Sequence, residues 1–185
     1  MRVYTDFEKK KQEIIDEIES GAVFVYPTDT IYGIGCNALD SKAVLRIRKI
    51  KQRTEKPFSV IAPSKDWVFN NLAVEEKYKK YLEKLPGRYT LIFKIRNKHC
   101  IAKEVSKNTL GVRIPDHWIS KWIEEMGFPV VTTSVNVAGN KQITRITQID
   151  KKMSKMIDFA IDEGELKGKP SEVIDLTGKS PRKIR

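Results

Sequence analysis

Sulfur and imidazole ligands are scarce in this sequence. Its 185 residues include two cysteines, Cys36 and Cys100, and two histidines. The cysteines are far apart and match no spacing of metal ligands, so we interpret them as reduced thiols. Two histidines are too few to favour a histidine-based metal site. We therefore expect no metal site made by protein side chains.

Long apolar runs are also missing. No run approaches the ~20 apolar residues that a membrane-spanning helix requires. Charged residues are spread through residues 1–20, which is unlike a signal peptide. These absences predict a cytoplasmic protein with no membrane partner.

Several signatures of covalent and cofactor chemistry are not found either. The sequence has no Walker-type phosphate loop, no dinucleotide-binding glycine fingerprint and no nucleophile elbow. A covalent intermediate is therefore disfavoured. The chemistry that remains is the positioning of reactants and the neutralisation of charge, as in phosphoryl or nucleotidyl transfer.

Positive charge, by contrast, is abundant. Lys and Arg number 35 against 24 Asp and Glu, which gives a formal charge of +11 and a pI of about 9.6. This balance favours a polyanionic partner or substrate. The alternative is a densely charged, solvated surface of the kind that thermophilic proteins carry. Net charge alone fits RNA and a nucleoside triphosphate equally well.

Helical and strand patterns alternate along the chain. Apolar periodicity and turn residues predict helices at 6–19, from Asp40 or Ser41, after Ser64, at 75–83, at 117–126 and after Thr147. Strands are predicted at 22–26, 58–62, 89–95, 110–114, 129–133, 159–162 and 173–176. Residues 96–108 show no regular pattern. The alternation, without a long linker, predicts a single α/β domain over residues 1–185 with a mixed sheet.

A turn rich in hydroxyl groups follows the first predicted strand. Pro27 ends the strand, Thr28 and Thr30 follow, and Gly33 and Gly35 permit close approach of the backbone to a ligand. Ligands of open α/β sheets bind at the carboxyl ends of strands. This turn is therefore a candidate ligand loop, in which Asp29 needs a metal, an arginine or backbone N–H partners.

Cations cluster in two further places. Lys51, Arg53 and Lys56 lie within six residues, and the mixture of guanidinium and ammonium groups suits a polyphosphate. A solvated helix end explains the same cluster equally well. Arg113 lies in an otherwise apolar strand, where a charge must meet an anion or carbonyl groups. Arg113 is therefore the stronger functional candidate.

Two hydroxyl-bearing loops complete the candidates. Residues 132–140 contain Thr132, Ser134 and Asn136, whose side chains could bind a ribose, a base edge or an amino acid, or could form an ordinary turn. A glycine and proline turn at 168–170 presents Ser171 just before a strand.

Together these motifs resemble the YrdC-like family, the threonylcarbamoyl-AMP synthases of tRNA modification. The matching motifs are YPTDTIYG (26–33), KxR (51–53) with KP (56–57), PGRYT (86–90), GVRIPxH (111–117), TSVN (133–136) with Gly139, and PSxVID (170–175). They occur in the order and rough spacing of the family's short, single-domain form. The resemblance implies a YrdC/RibB-like α/β fold, a twisted mixed sheet with helices around a basic concave cleft.

The resemblance also implies a reaction. L-Threonine, bicarbonate or carbon dioxide, and ATP would give L-threonylcarbamoyl-AMP and pyrophosphate, with Mg²⁺ held mainly by the phosphates. A separate transferase complex would then use the product to modify the adenosine beside the anticodon of tRNAs. Weak binding of tRNA or double-stranded RNA is a further expectation.

Site residues carry over by position from the family's motifs. The threonine end of the cleft would be lined by Thr30, Arg113, Thr132 and Ser171. The ATP end would be lined by Arg53, Lys56, Thr109, Ser134, Gln142 and Arg185. The catalytic signature would comprise Lys51, Arg53, Ser134 and Asn136.

Two other functions fit parts of the pattern. An RNA-binding or ribosome-assembly module would use the same basic surface without ATP turnover, and its affinity would fall steeply with salt. A carbamoyl-transfer domain of hydrogenase maturation proteins belongs to the same superfamily. Those proteins usually carry zinc-finger and acylphosphatase regions, which this sequence lacks.

Overall fold

The computed structural model describes residues 1–136 and 142–185. In these ranges the strands are β1 (Arg2–Tyr4), β2 (Phe24–Tyr26), β3 (Gly33–Gly35), β4 (Ser59–Ile61), β5 (Leu72–Ala73), β6 (Tyr89–Ile95), β7 (Thr109–Arg113), β8 (Val130–Ser134), β9 (Phe159–Ile161), β10 (Glu172–Asp175) and β11 (Arg182–Lys183). The α-helices are α1 (Lys11–Glu19), α2 (Ser41–Lys51), α3 (Lys65–Asn71), α4 (Ile119–Met126) and α5 (Lys151–Ser154). Residues Glu76–Lys84 and Ile146–Gln148 form 3-10 helices.

All of these strands join one mixed, twisted sheet. Its order is β1-β9-β2-β3-β8-β4-β7-β6-β10-β11, and β5 pairs with β6. The pairs β1–β9, β2–β9, β4–β7 and β6–β10 are parallel, and the remaining pairs are antiparallel. The mixed sheet confirms the sequence prediction.

Apolar side chains are buried on both sides of the sheet. Ile14 and Ile18 of α1 and Ile119 and Ile123 of α4 are completely buried in one cluster with Phe24. The larger cluster contains the buried residues of α2 and those of the central strands. Each fully buried Ile or Phe contributes roughly 1.5–3 kcal/mol. Trp122 of α4 is 7% exposed, so it belongs to the core, as its periodic spacing predicts.

Two helix starts agree with their predicted caps. The Asp40 carboxylate accepts hydrogen bonds from the backbone N–H groups of Lys42 and Ala43 at the start of α2. Ser64 Oγ accepts one from Trp67 N at 3.0 Å at the start of α3. Both side chains satisfy backbone donors that a helix leaves unpaired, which is why helices begin there.

Other elements differ from the predictions. Strand β3 was not predicted, because Gly33 and Gly35 were assigned to the loop after the first strand. It pairs because a Cβ atom on Gly35 would lie 2.2 Å from Val131 O, so glycine allows the two strands to approach. A helix follows Thr147 as predicted, but its cap is Asp150 and α5 begins at Lys151. Helix α1 begins at Lys11 instead of residue 6.

No helix in the described ranges is both long enough and apolar enough to span a bilayer.

Candidate active site

A cavity of about 540 Å³ opens where the ends of several strands meet. Among the described residues its lining comprises Thr28, Thr30, Ile31, Tyr32, Gly33, Arg53, Pro57, Ser59, Thr90, Arg113, Thr132, Thr133, Ser134, Gln142, Pro170, Ser171, Val173, Ile184 and Arg185. The lining combines hydroxyl groups with three arginines and includes no carboxylate in the part of the chain that the structure describes. The cleft is therefore basic and suits an anionic ligand.

Because the sheet is mixed, the cleft is lined by the last residues of some strands and by the first residues of others. Arg113 and Ser134 end β7 and β8, whereas Ser59 begins β4. Ser59 is opposite Gly111 on one side and Thr132 on the other. A Cβ atom on Gly111 would lie 2.5 Å from Ser59 Oγ, so glycine leaves room for this hydroxyl. Ser59 was missed by the sequence reasoning because its position depends on this register.

The turn after β2 is held by its own hydroxyl groups. Thr28 and Thr30 are 3% and 1% exposed, and their Oγ1 atoms are 2.9 Å apart. Thr28 Oγ1 donates to Ile31 O at 2.8 Å and accepts from the backbone N–H of Thr30 at 3.2 Å. Thr28 therefore fixes the turn, and Thr30 presents a hydroxyl to the cleft.

Arg113 is almost completely buried beside this turn. Its Nη1 donates to Thr30 Oγ1 at 3.2 Å, and its Nη2 donates to Asp29 Oδ1 at 2.5 Å. Burial lowers the pKa of the Arg113 guanidinium, and the nearby Asp29 carboxylate opposes that change. Arginine remains charged in proteins even so. Asp29 thus has the arginine partner that its sequence context required.

Ser171 lines the same cleft as Arg113. Strand β10 pairs in parallel with β6, and this pairing brings Ser171 Oγ within 2.8 Å of Thr90 Oγ1. Both residues are 5% exposed. A Cβ atom on Gly168 would lie 1.8 Å from Thr30 O. Only glycine therefore allows the turn at 168–170 to pack against the turn that contains Thr28 and Thr30, which we call the threonine turn. Thr90 was within a matched motif but was not predicted as a site residue.

Lys51 lies behind the cleft wall. It is 4% exposed, and its Nζ donates to Ser134 O at 2.6 Å, to Asn136 O and to Asn136 Oδ1 at 3.2 Å. Ser134 Oγ in turn donates to Asn136 Oδ1 at 2.6 Å. Burial, and to a smaller extent the charge of Arg53, lowers the pKa of Lys51 to about 8. The ammonium group therefore organises the 134–136 segment.

Arg53 extends from the end of α2 into the cleft. Its Nη2 donates to Pro57 O at 2.9 Å, and its guanidinium carbon lies 5.1 Å from the centre of the Phe58 ring. Its Nε is buried without a hydrogen-bond partner among the described residues. Burial, followed by the charge of Arg48, lowers the pKa of Arg53. Arg48 holds the loop by donating to Arg53 O and Thr54 O at 3.0 and 2.9 Å.

The C-terminal residues close the same side of the cleft. Strand β11 pairs with β10, and Val173 N donates to Arg185 O at 3.0 Å. Arg185 Nε donates to Ser171 O at 3.1 Å. Arg185 is therefore tied to the wall of the cleft.

The structure thus brings most of the predicted site residues together. Those that line the cleft are Thr30, Arg53, Arg113, Thr132, Ser134, Gln142, Ser171 and Arg185. Lys51 and Asn136 lie behind the lining, Lys56 is exposed outside it, and Thr109 begins β7 away from it. Gly139 of the fifth motif lies outside the described residues.

Comparison with known proteins gives the chain's family. Residues 16–185 match the Sua5/YciO/YrdC family model, which is described as "Telomere recombination". A putative threonylcarbamoyl-AMP synthase of Methanocaldococcus jannaschii is 36% identical over 184 residues, covering 95% of this chain and 86% of the relative. The threonylcarbamoyl-AMP synthase of Vibrio campbellii is 27% identical over 177 residues, covering 90% and 94%.

Solved structures share the same architecture. P. abyssi Sua5 complexed with L-threonine superposes with a TM-score of 0.87 at 28% identity, covering 100% of this chain but 56% of the Sua5 chain. E. coli YciO gives a TM-score of 0.86 at 26% identity, covering 100% and 92%. The chain therefore spans little more than half the length of Sua5. With its family model matched over residues 16–185, this chain belongs to the Sua5/YciO/YrdC family.

Proposed function

We propose that this protein is a threonylcarbamoyl-AMP synthase, a nucleotidyltransferase that acts on L-threonine, bicarbonate or carbon dioxide, and ATP. The proposal rests on the composition of the cleft. Its buried end holds Arg113 among hydroxyl groups, and Arg53 and Arg185 line it elsewhere. The names of two relatives and the L-threonine complex of Sua5 support the same substrates.

The buried end of the cleft suits an amino acid. A guanidinium presents N–H groups in a fork that matches a carboxylate, so Arg113 would bind the carboxylate of threonine. Thr30, Thr132 and Ser171 would surround the hydroxyl of threonine, because their own hydroxyl groups both donate and accept hydrogen bonds. The burial of Thr30 and Ser171 keeps bulk water away from their bonds, whereas Thr132 is partly exposed.

The more exposed arginines of the cleft suit the phosphates. Arg53 and Arg185 would bind the β- and γ-phosphates, while Ser134 and Gln142 would bind uncharged parts of ATP. Lys56 and Thr109, which lie outside the lining, would contact ATP only after a local rearrangement. Lys51 and Asn136 would act indirectly, by holding the 134–136 segment in place.

The reaction proceeds in two bond-forming steps. Bicarbonate takes up a proton and loses water to give carbon dioxide. The neutral amine of threonine attacks the carbon of carbon dioxide, and its nitrogen releases a proton to solvent as the carbamate forms. A carbamate oxygen then attacks the α-phosphorus of ATP, and the bond to the bridging oxygen breaks as pyrophosphate leaves. Arg53 stabilises the negative charge that develops on pyrophosphate, an effect typically worth about 2.7–4 kcal/mol for one preorganised donor.

The lining residues do not form a metal site of their own. No carboxylate lines the described part of the cleft, and no group of three His, Cys, Asp or Glu residues in the described ranges could hold a metal ion. Mg²⁺ would therefore enter as part of the substrate, bound to the phosphates of ATP. The residues of the chain would supply the arginines and hydroxyl groups around it.

The product's destination belongs to the same proposal. Threonylcarbamoyl-AMP would pass in the cytoplasm to a separate transferase complex that modifies tRNA beside the anticodon. Weak contact with tRNA or double-stranded RNA would use the exposed lysines. An RNA-binding module without ATP turnover is not favoured, because one of the three lining arginines is already paired with Asp29.

Pyrophosphate release tests the proposal. The protein is incubated with ATP, Mg²⁺, bicarbonate and each amino acid in turn, and pyrophosphate and the acyl-adenylate product are measured. Threonine-dependent release is expected, with serine as the closest control because it lacks only the methyl group. Absence of release with every amino acid contradicts the proposed function.

A further inference from the structure

Asp29 belongs to the threonine turn but does not line the cleft. Its side chain is 6% exposed, and that of its partner Arg113 is 7% exposed. Asp29 Oδ1 accepts the hydrogen bond from Arg113 Nη2 at 2.5 Å, while Oδ2 accepts one from the backbone N–H of Asp116 at 3.3 Å. Asp29 therefore acts on a ligand in the cleft through the residues that it holds, and its charged partner among them is Arg113.

Two anchors fix the plane of the guanidinium. Thr30 Oγ1 holds Nη1 at 3.2 Å and Asp29 holds Nη2, so the group cannot rotate without losing one of them. An arginine has five N–H groups. These two bonds use two of the five, and the buried Nε has no partner among the described residues, so Arg113 keeps further N–H groups that can donate.

The bond to Asp116 fixes Asp29 from the other side. Asp116 lies three residues after Arg113, so one carboxylate links the threonine turn both to the end of β7 and to the segment that follows it. The carboxylate also compensates the buried positive charge, which is costly without a partner. Asp29 thus controls both the orientation and the charge environment of Arg113.

We propose that Asp29 is a positioning residue that sets the orientation in which Arg113 receives the carboxylate of the amino-acid substrate. This inference rests on the proposed function. In this proposal Asp29 does not contact substrate and has no role at the phosphate end. Substituting Asp29 should therefore change the KM for threonine and not the KM for ATP.

The test compares Michaelis constants for the two substrates. Pyrophosphate release is measured for the wild type, Asp29→Asn and Asp29→Glu, varying threonine and ATP separately. We expect the KM for threonine to rise about tenfold or more, because small misplacements of a binding group are costly. The KM for ATP should stay within about twofold, since Arg53 and Arg185 are not touched by Asp29.

Asp158→Asn is the matched control. Asp158 also pairs with an arginine, Arg46, at 2.8 and 2.9 Å, and also accepts a backbone hydrogen bond, from Val23 N at 2.7 Å. It does not line the cleft. Both KM values should stay within about twofold of the wild type, because distant sites act independently.

A double-mutant cycle shows whether Asp29 acts through Arg113. Introducing Asp29→Asn into an Arg113→Lys background should change the threonine KM by less than about threefold, since the group being positioned is already replaced. Circular dichroism establishes that each variant is folded. If Asp29→Asn does not fold, Asp29→Glu decides the question, because it keeps the charge and displaces the carboxylate by one methylene group.

The possible failures are distinct. An unchanged threonine KM in the folded Asp29 variants, or an equal rise in both KM values, overturns the positioning role while leaving the proposed function intact. A wild-type protein that releases no pyrophosphate with threonine overturns the proposed function, and the positioning role falls with it.

Discussion

The two ends of the cleft are built differently. At the amino-acid end, Thr30, Arg113 and Ser171 are buried, and each is hydrogen-bonded to a neighbouring side chain. At the phosphate end, Arg53 is half-buried and Arg185 is exposed. The buried end is therefore shaped before any ligand arrives, whereas exposed cations bind phosphates with a small desolvation cost. Burial therefore distinguishes the amino-acid end, which selects the substrate, from the phosphate end.

The largest expected effect comes from removing the buried cation. Arg113→Ala leaves the Asp29 carboxylate buried without its partner, which costs about 3–5 kcal/mol in the free energy of unfolding. Threonine-dependent pyrophosphate release should be lost as well. Urea denaturation and the release assay measure the two effects.

Arg182→Ala is the control for that experiment. Arg182 pairs with Asp175 at 3.0 Å, but its side chain is 75% exposed. Because exposed ion pairs are worth about 0–1 kcal/mol, its loss should hardly change stability. Equal destabilisation by the two substitutions would contradict the difference between buried and exposed cations.

Replacing the phosphate-end arginine should separate activity from stability. Arg53→Ala should lower kcat roughly a hundredfold, the usual cost of losing one preorganised charge donor. The free energy of unfolding should change by about 1 kcal/mol, because its hydrogen bond within the described structure is to one carbonyl, Pro57 O. Steady-state kinetics and denaturation give the two numbers. Wild-type pyrophosphate release by Arg53→Ala would exclude its assigned role.

Gly168 tests the packing of the amino-acid end. In Gly168→Ala the new Cβ meets the Thr30 main chain, so a backbone shift costing about 1–3 kcal/mol is expected. The same shift should raise the threonine KM more than the ATP KM. Gly178→Ala is the control, since its added Cβ would meet its nearest atom at 3.7 Å. Thermal denaturation of both variants should show a lower Tm in Gly168→Ala alone.

The smallest expected effect is on the pH dependence of stability. The pKa of Lys51 is about 8 in the folded protein, below its ordinary value of 10.5. Between these values the unfolded chain binds more protons than the folded chain, so this group makes stability rise with pH. The free energy of unfolding of the wild type, minus that of Lys51→Met, should therefore increase from pH 8 to pH 10.

Between pH 8 and pH 10 we expect the activity to decrease while this contribution to stability increases. Deprotonated Lys51 has two N–H groups for the three acceptors of Ser134 and Asn136, so the segment loses a hydrogen bond. Pyrophosphate release by the wild type, divided by that of Lys51→Met, should fall above pH 8 although this contribution to stability rises, because the ratio removes the effect of pH on the threonine amine. A parallel rise of both quantities would argue against the organising role of Lys51.

Local signals in the sequence predicted the outline of the fold and much of the cleft. Helix caps at Asp40 and Ser64 satisfy nearby backbone groups, so they are visible in a few residues of sequence. Arg113 could be identified because a charge in an apolar strand needs a partner. That the partner is Asp29 depends on how the turn after β2 meets β7, which no local pattern specifies.

The features that the sequence did not predict also depend on contacts between distant parts of the chain. Strand β3 is glycine-rich, and it pairs with β2 and with β8, which approaches Gly35 closely. The inward direction of Lys51 depends on the packing of α2 against the segment after β8. Both features are contacts between parts of the chain that are far apart in sequence, and such contacts leave little trace in local composition.

The pairing of β10 with β6 and β11 has a consequence for synthesis of the protein. The wall that carries Ser171 joins strands from distant parts of the chain, and Arg185 completes it. A nascent chain can form the threonine turn early, yet it lacks a finished cleft until β10 and β11 leave the ribosome. Premature termination within this region would therefore abolish ligand binding even where most of the sheet can form.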